Sequence, residues 1–323
     1  MDARRVVLLG AALAAALGLG ACGQETQRAA GARDDAALSG SIRIDGSITL
    51  APLMQAAANR FTAQHPTVQI ALGRSGSDRG FARFCRGQTD LDAAAEAIDA
   101  RAIDACERAG VHWSRITVAN DAVVVMVNHE SPIRCLTTDQ VTQIWRRGSK
   151  VSERWSQVGG IVPAYHEDLI AWGPGIDTET FAYFTWAVNH VKGITRDYNN
   201  TLHKEPGTVR AVAGYPGAIG YADYPYYRRD PSSVRLLAID SGDGCVLPSP
   251  RTIGSDAFRP LARRLFLYVS ARALGRPEVS AFLRFSLAHA PALAQQAGFV
   301  ALTPAQLAAS RKNLARLIAR AGG

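Results

Sequence analysis

The sequence predicts an α/β fold built as two lobes, and three observations support this prediction. From Ser41 onward, short β-branched segments alternate with segments of helical period, which is typical of a mainly parallel sheet covered by helices. Residues 41–323 form a chain longer than one hydrophobic core usually organises. Two long β-branched stretches, 116–128 and 261–269, are placed to cross between the lobes.

The N-terminal residues are expected to lie outside this fold. A basic start is followed by the short apolar run 6–20, and Ala21 ends a small-residue cleavage site, so residues 1–21 are expected to be an export signal. Cys22 directly after Leu-Gly-Ala resembles the bacterial lipobox, which predicts lipidation of this cysteine. An ordinary signal peptide with a chance cysteine is the alternative. Residues 22–40 are polar and are expected to form a flexible tether.

The pattern of elements assigns segments to each lobe. Residues 41–118 and 265–323 are expected to form lobe 1, and residues 119–264 lobe 2. The predicted strands are 42–44, 68–72, one from Leu91, 116–128, 169–171, 217–221, 234–239 and 261–269. The predicted helices are 50–63, 81–86, 138–145, 178–188, 277–288, 291–297 and 303–321. Residues 75–80 are expected to be a loop, and Asn120-Asp121 is expected to interrupt the first crossing strand.

The charge of the chain argues against a nucleic-acid partner. The formal net charge is +8, but the arginines are scattered rather than gathered with aromatic residues on one patch. A basic surface that faces anionic lipid head groups is the simpler interpretation.

Four cysteines remain after Cys22, and an even number in an exported chain suggests disulfides. Three pairings are possible. We favour Cys85–Cys106 and Cys135–Cys245, because each then joins segments of one proposed lobe. No CxxC spacing or close histidine supports a metal site instead.

The candidate site consists of loops that follow strands. Open α/β sheets bind ligands beyond the carboxyl ends of their strands, and the loops 46–49, 74–80, 94–96 and 177–180 lie at such positions. Three of them run into helices, whose free N–H groups and positive dipole ends suit oxyanions. Taken singly, each loop is better explained by helix capping than by ligand binding. Together the loops favour a binding cleft.

Several segments resemble the phosphate-binding proteins of bacterial phosphate ABC importers. These are GSITLAPLMQAAANRF (46–61), SGSDRGFARFCRGQTDLDAAAEAI (75–98) and GPGIDTETFAYF (173–184), with PGAIGYADYPYY and LFLYV following in the family's order. The resemblance implies a periplasmic binding protein type II-like fold, two α/β lobes joined by two crossing strands. It also implies ligand contacts at Ser47, Ile48, Thr49, Ser75, Gly76, Ser77, Asp78, Arg79, Ala95, Glu96, Thr178, Glu179 and Thr180.

The chain departs from the family at these contacts. Ile48 replaces the second serine of the family's Ser-Ser-Thr motif, and Asp78-Arg79 replace residues of a glycine-rich turn. Glu96 replaces an arginine, and Glu179 replaces the glycine of a Ser-Gly-Thr motif. A carboxylate about 5 Å from a singly charged anion is unfavourable by roughly 3 kcal/mol at an effective dielectric constant near 20. Glu96 as a proton acceptor for hydrogen phosphate, or Arg79 as a compensating cation, would soften this penalty.

The resemblance therefore predicts a lipid-anchored periplasmic solute-binding protein of an ABC importer, a monomer that binds phosphate or a related small solute and docks on permease subunits. The alternatives are a different ligand, with an amine that pairs with Glu96 or Glu179, and a ligand-deficient sensor or docking protein at the membrane. Trp172, Tyr221 and Tyr224 would wall a larger pocket or pack between the lobes. No catalytic motif is present, so neither enzymatic activity nor a cofactor or metal is expected.

Overall fold

The structure is a computed structural model that describes residues 38–149, 153–161, 165–196, 201–202 and 205–321. The predicted signal peptide and Cys22 lie outside the described residues, as does the predicted tether up to residue 37. Among the described residues, no helix is long and apolar enough to cross a membrane.

The described residues contain twelve strands, nine of which form one mixed sheet. The strands are β1 (Gly40–Gly46), β2 (Val68–Leu72), β3 (Leu91–Ala94), β4 (Trp113–Asn128), β5 (Cys135–Thr137), β6 (Ile170–Pro174), β7 (Thr201–Leu202), β8 (Ala218–Asp223), β9 (Val234–Leu236), β10 (Ala238–Asp240), β11 (Cys245–Val246) and β12 (Ala262–Ser270). The large sheet has the order β2-β1-β3-β12-β4-β8-β6-β7, with β9 also paired to β4. The order β11-β10-β5 forms a small second sheet.

Helices cover the large sheet and close both lobes. They are α1 (Ala51–Gln64), α2 (Ser77–Phe84), α3 (Ala100–Arg108), α4 (Thr138–Trp145), α5 (Glu179–Asn189), α6 (Glu205–Gly214), α7 (Tyr224–Tyr227), α8 (Pro250–Gly254), α9 (Ala271–Leu274), α10 (Pro277–Ala288), α11 (Ala290–Ala297) and α12 (Pro304–Ala321). Helix α1, for example, is amphipathic and buries Leu53, Met54 and Phe61 at helical spacing against the hydrophobic core of lobe 1.

Two strands cross between the lobes. The first part of β4 pairs with β12, and its last residues pair with β8 and β9. β12 in turn pairs with β3. Strands β1, β2 and β3 are parallel to one another, and so are β6 and β8, but β12 runs antiparallel to both of its neighbours. The predicted parallel pairing is therefore confirmed within each lobe. The crossing strands β4 and β12 pair antiparallel with their neighbours, since each carries the chain from one lobe to the other.

A buried ion network lies where the crossing strands meet. Arg263 of β12 donates to Asp121 of β4 at 2.9 Å and to Asp223 at the end of β8 at 2.7 Å. All three side chains are almost fully buried. Asp121 therefore does not interrupt β4, because the guanidinium of Arg263 neutralises it within the strand pairing.

The hydrophobic core of lobe 2 holds helix α5 against the sheet. The ring of Phe184 stacks on that of Tyr221 at 3.7 Å between centroids, and Trp145 meets both rings edge-on at 5.1 and 5.6 Å. All three residues are fully buried. Tyr221 is thus a core residue, as its packing interpretation predicted, and this cluster sets where the first turn of α5 points.

The predicted elements lie close to their expected positions, with one wrong helix start, and the predicted strand 234–239 is two strands, β9 and β10. The prediction lacks helices α3, α6, α7, α8 and α9 and strands β5, β7 and β11. Helices α4 and α10 begin and end at the predicted residues. Helix α2 begins at Ser77, not at Phe81, and so includes residues predicted as loop. Gly80 makes this possible: a Cβ at this position would lie 2.5 Å from the Cα of Gly46, so only glycine lets the helix approach β1 this closely.

The structure contains both favoured disulfides. Cys85 at the end of α2 is bonded to Cys106 of α3, and Cys135 of β5 is bonded to Cys245 of β11. The first bridge joins two helices of lobe 1. The second closes the small sheet, whose strands are two or three residues long.

Replacing both Cys135 and Cys245 by Ser is expected to lower the free energy of unfolding by about 2–4 kcal/mol, because the bridge spans 110 residues of chain and removes entropy from the unfolded state. Urea unfolding under non-reducing conditions measures this change. A loss below about 1 kcal/mol would contradict a structural role for the bridge.

Replacing Asp121 by Asn is expected to remove part of the pH dependence of stability. Burial, which outweighs the attraction of Arg263, raises the pKa of Asp121 from 3.8 to about 7. Protonated Asp121 therefore stabilises the fold at pH values below the pKa that this group has in the unfolded chain. This stabilisation is lost as the pH rises through the pKa of Asp121 in the folded chain. From about pH 5 to pH 8, the unfolding free energy of the native chain should fall by about 2 kcal/mol more than that of Asp121→Asn.

Urea unfolding at both pH values measures this difference. Asp104→Asn, which changes an exposed carboxylate on α3, is the matched control. Equal pH dependence in the native chain and Asp121→Asn would contradict the assignment.

Candidate functional site

Two loops of lobe 1 present hydrogen-bond donors to the same point. The loop after β1 contributes the hydroxyl of Ser47 and the amide of Thr49, and the start of α2 contributes the amide and hydroxyl of Ser77. Gly46 keeps the loops together, since its φ of 122° and a Cβ only 2.2 Å from the carbonyl of Ala93 exclude other residues. We call these four donors the oxyanion cradle.

The carboxylate of Glu179 occupies the oxyanion cradle. Its Oε2 accepts from the hydroxyl of Ser47 at 2.6 Å and from the amide of Thr49 at 3.1 Å. Its Oε1 accepts from the amide and the hydroxyl of Ser77, both at 2.6 Å. A side chain of lobe 2 is therefore bound by lobe 1 through four short, charge-assisted hydrogen bonds.

Helix geometry makes the cradle favourable for an anion. Thr49 lies just before α1, and Ser77 is the first residue of α2. The amides at helix N-termini have no partner within the helix and carry the positive end of the helix dipole. Two such ends face one carboxylate here, as in many phosphate and carboxylate sites.

The carboxylate of Asp45 connects the two loops that form the oxyanion cradle. It accepts from the amide of Gly46 at 2.8 Å, from the amide of Ser75 at 3.0 Å and from Arg83 at 2.6 Å. Burial alone would raise the pKa of Asp45, but the amides of Gly46 and Ser75 and the charge of Arg83 hold that pKa below its ordinary value. Asp45 thus stays ionised and fixes both cradle loops.

Asp92 is a second carboxyl group beside the cradle. It is fully buried, and neither of its oxygens has a hydrogen-bond partner among the described residues. Burial raises the pKa of Asp92 well above its ordinary value, and the neighbouring charges of Asp45 and Glu179 raise it further. The surroundings of Asp92 therefore favour its neutral form, which adds no negative charge beside the cradle.

Lobe 2 places Glu179 through the first turn of α5. The hydroxyl of Thr178 caps the helix by accepting from the amide of Phe181 at 3.2 Å. The hydroxyl of Thr180 hydrogen-bonds to Asp223, which also accepts from the hydroxyl of Thr49 at 3.2 Å. The first turn is thus held from both sides, and Glu179 extends from it into lobe 1.

A second charged bridge joins the lobes beyond the other end of α5. The ammonium of Lys192 lies 2.8 Å from Glu96 and 3.2 Å from Asp78, both in lobe 1. Burial lowers the pKa of Lys192, but the hydrogen bond and charge of Glu96 and the charge of Asp78 more than offset this and raise that pKa above its usual value. Lys192 therefore stays charged.

A cavity of about 430 Å³ lies between the lobes along α5. Asp78, Glu96 and Lys192 contribute to its lining, together with the aromatic rings of Tyr183 and Trp186. Aromatic and charged groups that line a partly open space between two lobes are typical of a ligand site.

The structure gathers most of the predicted site residues at this cleft. The cradle and its neighbours contain Ser47, Thr49, Ser75, Gly76, Ser77, Thr178, Glu179 and Thr180, and the cavity is lined by Asp78, Ala95 and Glu96. Ile48 is 55% exposed and makes no hydrogen bond to the carboxylate in the described part of the chain. Arg79 is exposed on α2 and lies outside the cavity lining, so the cation that meets Asp78 and Glu96 is Lys192 instead.

Four groups that organise the cleft were not among the predicted site residues: Asp45, Asp92, Lys192 and Arg263. Asp45, at the end of a strand, and Arg263, inside a crossing strand, carried a signal, because charged residues at buried strand positions need partners. The position of Lys192 depends on the turn after α5, which no local pattern reveals. The described residues contain no cluster suited to a metal ion.

Comparison with known proteins identifies the family. Residues 31–289 match the family described as PBP superfamily domain. The protein SphX of Synechococcus elongatus is 32% identical over 263 residues, which cover 81% of this chain and 77% of the relative. The phosphate-binding protein PstS of Staphylococcus haemolyticus is 28% identical over 292 residues, which cover 90% of each chain.

Solved structures agree with this family. A possible phosphate-binding protein from Planctomyces limnophilus has a TM-score of 0.71 at 30% identity, over 88% of this chain and 99% of its own. An ABC-type phosphate transport receptor from Vibrio cholerae has a TM-score of 0.67 over 82% of this chain and 100% of its own, and at 18% identity it shows the shared fold alone. The chain therefore belongs to the PBP superfamily, as a PstS-like member.

Proposed function

We propose that the protein is the solute-binding subunit of an ABC importer and that it binds phosphate or a related oxyanion between its lobes. The observation that carries this proposal is the oxyanion cradle, whose four donors hold the carboxylate of Glu179. A carboxylate presents two oxygens to these donors much as a phosphoryl group does. The names of the relatives, phosphate-binding PstS and an ABC-type phosphate transport receptor, support the same solute class.

Glu179 is then an internal competitor of the solute. Phosphate and the Glu179 carboxylate need the same donors, so phosphate binds only when Glu179 leaves the cradle. A tethered group has a high effective concentration at its site, and it weakens the apparent affinity of any competing ligand. If Glu179 stays nearby, its charge also repels the incoming anion.

A second function is favoured by the same contact. With Glu179 in the cradle and Lys192 between Asp78 and Glu96, the cleft is bridged without any solute. A protein closed in this way would serve as a ligand-independent docking or sensor protein at the membrane. Solute binding remains the first proposal because the four donors of the oxyanion cradle are all present and converge on one anionic group.

The proposed setting is the outer side of the cytoplasmic membrane. Export by the signal at 1–21 and lipidation of Cys22 would hold a monomer near its permease, with the solute handed over when the lobes open. This role is binding and release, without chemical change of the solute.

Replacing Glu179 by Gly is expected to tighten phosphate binding at least tenfold, because it removes the competing carboxylate and its repulsion. Isothermal titration calorimetry with phosphate and sulfate measures the dissociation constants. Glu107→Gln, which changes an exposed carboxylate on α3, is the control and should leave phosphate affinity unchanged. If neither the native chain nor Glu179→Gly binds phosphate at millimolar concentration, oxyanion binding is wrong and the docking function is favoured.

Replacing Ser77 by Ala in the Glu179→Gly background is expected to weaken phosphate binding by about tenfold to a hundredfold, because one charge-assisted hydrogen bond is lost. Ser41→Ala, on the exposed start of β1, is the matched control in the same calorimetric titration. Unchanged affinity in the Ser77 variant would place the anion outside the cradle.

A further inference from the structure

The cavity beside the cradle is too large for an inorganic anion. Its volume of about 430 Å³ falls within the roughly 300–1,000 Å³ range of sites for organic ligands. The rings of Phe81, Tyr183, Trp186 and Phe266 line it. Trp186 is 56% exposed, so an indole ring is left for a ligand to cover.

The cavity adjoins the oxyanion cradle along α2 and α5. Glu179, Tyr183 and Trp186 stand at positions i, i+4 and i+7 of α5, so they share one face of the helix. On lobe 1, cradle residue Ser77 is followed directly by Asp78, which lines the cavity. A ligand group in the cradle would therefore continue into the cavity along α5.

The bridge at Lys192 shows that lobe 1 also binds a cation. The carboxylates of Asp78 and Glu96 hold the Lys192 ammonium at 3.2 and 2.8 Å. Lobe 1 thus offers an anion subsite and a cation subsite, and in this structure each holds a side chain of lobe 2. Glu179 supplies the negative group and Lys192 the positive one.

A buried donor of the cavity lacks a partner. The Arg263 side chain lines the cavity and is only 3% exposed. Two of its nitrogens bind Asp121 and Asp223, but Nη1 has no hydrogen-bond partner among the described residues. Arg263 therefore gives the cavity wall a buried positive charge that Asp121 and Asp223 hold in place.

We propose that the cleft binds a small organic zwitterion. Its oxyanion head enters the oxyanion cradle in place of Glu179, its protonated amine lies between Asp78 and Glu96 in place of Lys192, and an apolar spacer packs against Tyr183 and Trp186. This inference rests on the proposed function, because the head group uses the same cradle.

Charge balance decides between a zwitterion and a plain anion. An anion that displaces Glu179 leaves that carboxylate in a cleft that already holds Asp78 and Glu96. Of the arginines that line the cavity, Arg263 is paired with Asp121 and Asp223, and Arg264 is paired with Asp256. Among the described residues, Lys192 is the cation that faces Asp78 and Glu96. A ligand amine adds a second cation to this group of carboxylates. Phosphonates, phosphate esters and carboxylates share the required head chemistry, so the head group is a matter for experiment.

The test compares matched ligands by calorimetry on the purified protein. The probes are ω-aminoalkylphosphonates with chains of roughly two to six carbons, a length set by covalent reach between the subsites. Each is paired with the alkylphosphonate of the same length. The ω-amino acids of matching length form a carboxylate arm, and inorganic phosphate is included throughout.

The amine-bearing ligand of at least one length is expected to bind about tenfold more tightly than its amine-free partner. Glu96→Gln should abolish this preference, and Asp78→Asn should reduce it. Lys192→Met should increase the preference, because it removes the internal competitor. Glu107→Gln, which lies outside the cavity lining, should leave the preference unchanged. A preference seen only in the amino-acid arm would support the zwitterion with a carboxylate head.

Equal or weaker binding of the amine at every length and in both arms, in the native chain and in Lys192→Met, would overturn the inference. Phosphate binding by Glu179→Gly separates this failure from that of the proposed function. If phosphate binds to that variant and no amine preference appears, only the zwitterion is wrong. If no oxyanion binds to that variant either, both proposals are wrong.

Discussion

The contact between the carboxylate of Glu179 and the oxyanion cradle determines how the rest of the cleft is arranged. Hydrogen bonds to an ionised group are about twice as strong as those between neutral groups, and four of them converge here. They bring α5 against the N-termini of α1 and α2. In that position Asp223 at the end of β8 accepts from the hydroxyl of Thr49, and the turn after α5 brings Lys192 to Glu96.

The cores of the two lobes make this contact possible by fixing the elements that carry it. Phe184 is packed on Tyr221 and Trp145, so α5 cannot rotate without opening a buried aromatic cluster. Arg263 ties both crossing strands to the end of β8 through Asp121 and Asp223. Losing either carboxylate would leave a buried charge partly unpaired, which makes this junction specific as well as stable.

Sequence patterns were sufficient to predict the lobes, most elements and the loops that form the cleft. They predicted α4 and α10 to the residue, since α4 begins with a capping box at Thr137 and α10 begins with Pro277 in its first turn. They failed at α2, where close approach of Gly80 to β1 overrides the loop signal of glycine and aspartate. The substitution of Glu179 for glycine was visible in the sequence, but its consequence was not, since the carboxylate finds partners more than a hundred residues away.

The disulfide between Cys85 and Cys106 has a consequence for how such a protein can change its specificity. It ties the end of α2 to α3, so the helix that begins at Ser77 is anchored at its far end independently of lobe 2. Lobe 1 therefore keeps its donors in place, whereas the group that these donors bind is supplied by residues 178–180 at the start of α5. Evolution can change what lobe 1 binds by exchanging one half-buried side chain, without refolding the half of the molecule that recognises it.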